Sequence, residues 1–149
     1  DARQAVALLG KSAYLAEKAG SKLTLALVDG AALELDRDRY LTLLRSAPVQ
    51  RQAAMAAVIE ATSRSKGAPI GTGDAYDAYK GFCERAGLRV MTGRAFGDLL
   101  DELDMYSLLR SRVLSRGRYG RTREITLDLS AELVQKIYQA VRMNFEIRG

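Results

Sequence analysis

Histidine and tryptophan are absent from these 149 residues, cysteine and asparagine occur once each, and proline twice. Without histidine, the commonest general base and the commonest metal ligand are both missing. A single cysteine, Cys83, excludes an internal disulfide and a cysteine-built metal cluster. No apolar run approaches the ~20 residues of a membrane-spanning helix, and the opening DARQAVALLGKSAYLAEK lacks the layout of a signal peptide. Nor is there a GxxxxGK(S/T) phosphate loop or a Walker B acid pattern. These absences disfavour a stand-alone enzyme and predict an intracellular protein. Scarce asparagine and cysteine lean toward a thermophilic source. Starting without methionine and at once in helix-like sequence, the chain reads as a piece of a larger protein.

What is present is a mixed composition with a local excess of positive charge. Lysine and arginine number 23 against 18 acids, a net charge of +5. Residues 1–47 carry +1 of this and residues 48–149 carry +4. Arg110, Arg112, Arg116, Arg118, Arg121 and Arg123 fall within fourteen residues that contain no acid. The stretch just before them holds Asp98, Asp101, Glu102 and Asp104. A positive field confined to one segment is the footprint of a polyanion-binding surface.

Hydrophobic spacing predicts a helix over residues 2–19, stopped at Gly20, and helical sequence from Thr24 to about Ala47. Pro48 marks a boundary, because the residue before proline resists the α conformation. Beyond it the pattern predicts a helix of about four turns and a short edge strand at Ala68–Gly71. A helix from Thr72 or Asp74 to Gly87 follows, with Tyr76, Tyr79, Phe82, Cys83 and Ala86 as its apolar stripe. Thr92 is a good N-cap for the next helix, which carries Phe96, Leu99, Leu100 and Leu103 inward. LLRSRVLS and TREITLDLS read as strands around a basic turn, and a last helix runs from Ser130 to about Phe145. The expected fold is mainly α with a small antiparallel β-hairpin, a winged helix-turn-helix over residues 48–149 preceded by a helical piece over 1–47.

In that fold the second helix of the helix-turn-helix enters the major groove by its N-terminal end. Thr92, Gly93, Arg94 and Gly97 stand there. Thr92 and the first-turn amides suit a phosphate, and Arg94 suits a phosphate or a guanine edge. Two glycines weaken the helix by ~1 kcal/mol each relative to alanine, so a close approach should compensate. The acids that follow restrict DNA to the first two turns. In the hairpin, Arg110 and Arg112 share one strand face, and Arg121 and Arg123 share one on the return strand. Gly117 and Gly120 permit a tight turn around Tyr119, and arginine is favoured in a narrow minor groove. The bland reading, an exposed hairpin kept soluble by charge, sits poorly with six mutually repelling arginines. Tyr76, Tyr79, Phe82 and Cys83 read as core, and Cys83 lacks a histidine to activate it.

Residues 101–125, DELDMYSLLRSRVLSRGRYGRTREI, resemble the winged-helix domain of the archaeal Orc/Cdc-type replication initiators of the AAA+ superfamily. GDAYDAYKGFCERAGL resembles that family's preceding helix, and DARQAVALL the last part of its AAA+ lid. The resemblance implies origin-DNA binding, with Thr92, Gly93, Arg94 and Gly97 in the major groove. Arg112, Arg116, Gly117, Arg118, Tyr119, Gly120, Arg121 and Arg123 would form the wing in the minor groove. It further implies that residues 1–47 are lid, and that Arg3 is the sensor-two arginine of a complete ATPase holding ATP or ADP with magnesium. Partners would be duplex DNA, the replicative helicase and a paralogous initiator, with no membrane. The location would be cytoplasmic and nucleoid-associated. Rival readings are a dimeric winged-helix transcription regulator and a winged helix that docks proteins without touching DNA.

Overall fold

The computed structural model describes residues 38–115 and 121–146. The helix expected over residues 2–19, with Arg3 in it, and the first part of that expected from Thr24 lie outside the described residues, as do Arg116, Gly117, Arg118, Tyr119 and Gly120. The chain divides into two compact units, Asp1–Thr42 and Leu43–Gly149, with the division ahead of Pro48. Of the first unit, residues 38–42 are described and are helical; the described part of this helix, α1, covers 38–45.

The second unit places α2 (Val49–Arg64), β1 (Ile70–Gly71), α3 (Thr72–Ala86), α4 (Gly93–Met105), β2 (Arg110–Ser115), β3 (Arg121–Thr126) and α5 (Ala131–Glu146) in that order. Pro48 stands at the N-cap of α2, where its fixed φ is harmless and its missing N–H costs nothing. The helix is not amphipathic. Gln52 through Ile59 are buried without interruption, and Ala61 with them. Five of these residues are alanine, so α3, α4 and α5 can all approach the α2 backbone closely. A helix with no solvent face is one the core surrounds.

The other helices each bury one stripe against it. On α5, Leu133, Ile137, Val141 and Phe145 recur every fourth residue and are buried, with Phe145 edge-on to Phe82 of α3 at 5.3 Å. Ser130 accepts the Leu133 amide at 3.2 Å and starts that helix. Gly87 ends α3 in the left-handed conformation, φ 69°, which a side chain would strain. Gln52 of α2, 3% exposed, donates to the Ala47 carbonyl at 2.9 Å and accepts from Asn144 of α5 at 2.8 Å, whereas the buried Thr62 hydroxyl on the same helix has no hydrogen-bond partner. Glu60 accepts from Arg85 of α3 at 2.7 Å and from Tyr138 of α5 at 3.0 Å.

The sheet is antiparallel in the order β1-β3-β2, so the two-residue β1 is the edge strand expected at Ala68–Gly71. Ile70 faces Ile125, and β2 and β3 pair from Arg110 opposite Thr126 out to Ser115 opposite Arg121. Helix, edge strand, two helices and hairpin, closed by α5, make a winged helix-turn-helix. Among the described residues no helix is long and apolar enough to cross a membrane.

The tight fit around α2 makes a direct prediction. Ala57→Leu adds three carbons where no solvent-facing side exists, and should destabilise the fold by ~1–3 kcal/mol. A fall in the urea midpoint with an unchanged slope would register it.

Candidate nucleic-acid interface

The turn joining α3 to α4 determines how α4 is presented, and side-chain hydroxyls hold it. Tyr79 is fully buried, yet its hydroxyl donates to Gln50 and accepts the Met91 amide at 3.0 Å. Tyr76 donates to the Met91 carbonyl at 2.7 Å, and Gln50 donates to the Arg89 carbonyl at 2.8 Å. The rings of Tyr76 and Tyr79 pack on Phe96 of α4 at 5.4 and 4.8 Å. Spacing alone marks the two tyrosines as core. Their polar tips fasten both sides of the Met91 peptide, a role the apolar stripe conceals. Burial pushes the Tyr79 phenol up to about 12. The same burial raises the Cys83 thiol, which leaves it a packing residue.

Thr92 then caps α4 as its sequence position predicts. Its hydroxyl oxygen accepts the Ala95 amide at 3.1 Å and its carbonyl accepts Phe96 N–H at 2.9 Å. The amides of Gly93 and Arg94, in the first turn, have no carbonyl of the helix to bond. Thr92, Gly93 and Arg94 are all exposed. A Cβ at Gly93 would meet nothing within 4 Å, so the helix front is open to an approaching surface. Phe96, Leu100 and Leu103 are buried as expected, while Leu99 is half-buried.

Gly97 does not share that front. A Cβ there would stand 3.7 Å from the Arg123 guanidinium. Arg123 is held by both carboxylate oxygens of Asp101 and donates to Ser111 at 3.2 Å. Its hydrogen bond holds the Asp101 carboxyl below the usual carboxylate range, and Asp101 in turn raises the guanidinium. The arginine segment free of acids along the chain is therefore not free of them in space. Arg110 pairs with Asp128 at 3.1 Å, and Arg112 stands directly opposite Glu124. Opposite residues of a ladder share a face, so Arg110, Arg112 and Glu124 lie on one side of the hairpin. Arg123, Ser111, Val113 and Ile125 lie on the other, turned toward α4. Arg121 stands at the outer end of β3 opposite Ser115. Among the described residues, Arg94 and Arg112 are exposed and have no ion pair.

A capped, exposed helix front beside an arginine-bearing hairpin, on a helix-turn-helix frame, defines a winged-helix domain. The family model of the CDC6 C-terminal winged helix domain matches residues 42–137, and the chain belongs to that family. It is 34% identical over 137 residues to the ORC1-type DNA replication protein 1 of Sulfurisphaera tokodaii, covering 91% of this chain and 34% of that one. With the ORC1-type DNA replication protein of Pyrococcus furiosus it shares 34% identity, over 99% of this chain and 34% of the relative. Among solved structures, Aeropyrum pernix ORC1 in complex with DNA superposes with a TM-score of 0.82 at 32% identity, covering 99% of this chain and 38% of that one. Drosophila ORC bound to DNA shares the fold, with a TM-score of 0.57 at 19% identity over 92% of this chain and 35% of that one. The chain thus spans about a third of the length of the curated relatives it matches.

Removing the Tyr79 hydroxyl leaves Gln50 and the Met91 amide without their partner. Tyr79→Phe should cost ~1–3 kcal/mol in urea unfolding. The raised phenol also fixes a sign. Between pH 10 and about 12 the folded state keeps a proton that the unfolded state has lost. Stability should therefore fall above pH 10 by up to ~1.4 kcal/mol per pH unit from this group. Tyr79→Phe should flatten that alkaline limb.

Proposed function

We propose that this domain binds duplex DNA at a replication origin as part of a replication initiator. The α4 front would lie in the major groove and the hairpin in the minor groove. The observation that carries the reading is the open N-terminus of α4, with Thr92, Gly93 and Arg94 exposed and the helix's acids set behind them. It is supported by the Aeropyrum relative, whose structure was determined with DNA. Thr92 and the Gly93 and Arg94 amides take a phosphate, while the Arg94 guanidinium takes a second phosphate or a guanine edge. Arg112 lies at the backbone of the groove, and Arg116, Arg118, Tyr119 and Arg121 enter it, with Gly117 and Gly120 allowing the narrow turn. Gly97 belongs to the interface through its neighbour Arg123 and not by touching DNA.

The complete protein is read as an initiator whose ATPase module lies outside this chain, with Arg3 sensing ATP or ADP with magnesium and residues 1–47 belonging to its lid. Helicase recruitment, and cooperation with a paralogous initiator, belong to that complete protein.

Fluorescence anisotropy on a duplex across a salt series tests the DNA reading. Affinity should fall ~10²-fold or more from low to moderate salt if several phosphates are held. Arg118→Ala and Arg94→Ala should each weaken binding, and each lost phosphate contact should flatten the log–log salt slope by ~0.9. Binding that ignores salt and both substitutions would instead favour a protein-docking winged helix.

A further inference from the structure

Arg123 sits where the hairpin meets α4, and its surroundings are those of a strut. Asp101 grips both terminal nitrogens, Ser111 across the strand pair takes another N–H, and Gly97 one turn earlier on α4 leaves the space the guanidinium occupies. Positions 97 and 101 fall on one face of the helix, so glycine and aspartate together form a seat. The Arg123 side chain is 22% exposed, against 74% for Arg110 on the other face of the hairpin. A planar fork held bidentately by a carboxylate fixes direction as well as distance. Most of its donors are engaged, so little of the guanidinium is left for a phosphate.

We infer that Arg123 and Asp101 are positioning residues that lock strands β2 and β3 to α4, so that the helix front at Thr92–Arg94 and these strands are presented to DNA at a fixed separation. This rests on the DNA-binding reading above and adds what sets the separation of its two arms. An arrangement already in its bound geometry avoids ordering costs on binding.

The sign of one substitution separates the lock from plain electrostatics. Asp101→Asn removes a negative charge from a surface said to face a polyanion, which by charge alone should tighten binding. The lock requires the opposite, a loss of roughly tenfold, because the strands are no longer held. Asp98→Asn removes the same charge from the same helix, and with it a through-space attraction on Arg123, but none of the pair's hydrogen bonds, and should tighten binding or leave it unchanged. Arg123→Met should match Asp101→Asn, the double variant should be no worse than either single one, and exchanging the two residues (Asp101→Arg with Arg123→Asp) should recover part of the loss. Without DNA, amide nitrogen-15 relaxation should show Val113 and Arg123 becoming more mobile in Asp101→Asn and unchanged in Asp98→Asn. Tighter binding by Asp101→Asn, additive single effects, or unaltered hairpin amides would overturn the lock. Wild-type protein that fails to bind any duplex would remove the docking role, and the relaxation measurement distinguishes that result from a missing lock.

Discussion

Everything in the second unit is arranged around the packing of α2. Eight consecutive residues of this helix are buried, Gln52 through Ile59, so its neighbours must cover it on all sides. Alanine makes this possible by letting three helices come close, and it leaves no slack, since an interior packed like a crystal passes strain from one contact to the next. Two polar side chains of α2 act as ties. Gln52 joins the α1–α2 connection to α5, and Glu60 joins α3 to α5 through Arg85 and Tyr138. Such groups are tolerated inside because each is given partners.

That rigid frame is what gives the α3–α4 turn its meaning. A helix proposed to enter a groove must be held at one angle, and turns are ordinarily the softest part of a fold. Here the turn is clasped by Gln50, which stands on α2, and by Tyr76 and Tyr79 on α3. The orientation of α4 is thus inherited from α2. Phe96 under the two tyrosine rings continues the same support into the first turn of α4.

Much of this was legible in the order of residues. The Thr92 cap, the Gly87 stop, the β1 edge strand and the alternation around Ile125 follow from local rules that tertiary contacts did not override. The all-round burial of α2 was not legible, because alanine carries little hydrophobic contrast and its periodicity is faint. The hydroxyl work of Tyr76 and Tyr79 was hidden by their place on an apolar stripe. Asp101 was the largest omission: it was read as an acid limiting the DNA-facing turns, and its pairing with Arg123 joins positions twenty-two residues apart. Counting charge along the chain cannot see such a pairing. It can see that an acid-poor segment follows an acid-rich one, and that juxtaposition is where the pair arose.

The division of α4 into a front and a rear follows from these pairings. At the front, which Thr92 caps, the Gly93 and Arg94 amides have no carbonyl of the helix to bond, and the helix dipole adds a partial positive charge. Two to three turns later, Asp101 is neutralised by Arg123 and Glu102 by Arg51, the latter at 2.8 Å. These two acids, unlike the exposed Asp98 and Asp104, do more than add negative charge to the helix. Each fastens α4 to another element, to the hairpin in one case and to α2 in the other. Arg51 also lies over the Tyr106 ring, 5.3 Å from its centre, at the point where the chain leaves α4 for the sheet. Negative charge placed behind the front holds the helix in place, while Arg94 and Arg112, like Arg89, stand on the exposed surface without an ion pair among the described residues. Among the described arginines of that run, Arg123 is held between the hairpin and α4, while Arg110 and Arg112 are exposed. The place of Arg123 is architectural, though its sequence neighbours suggest an outward one.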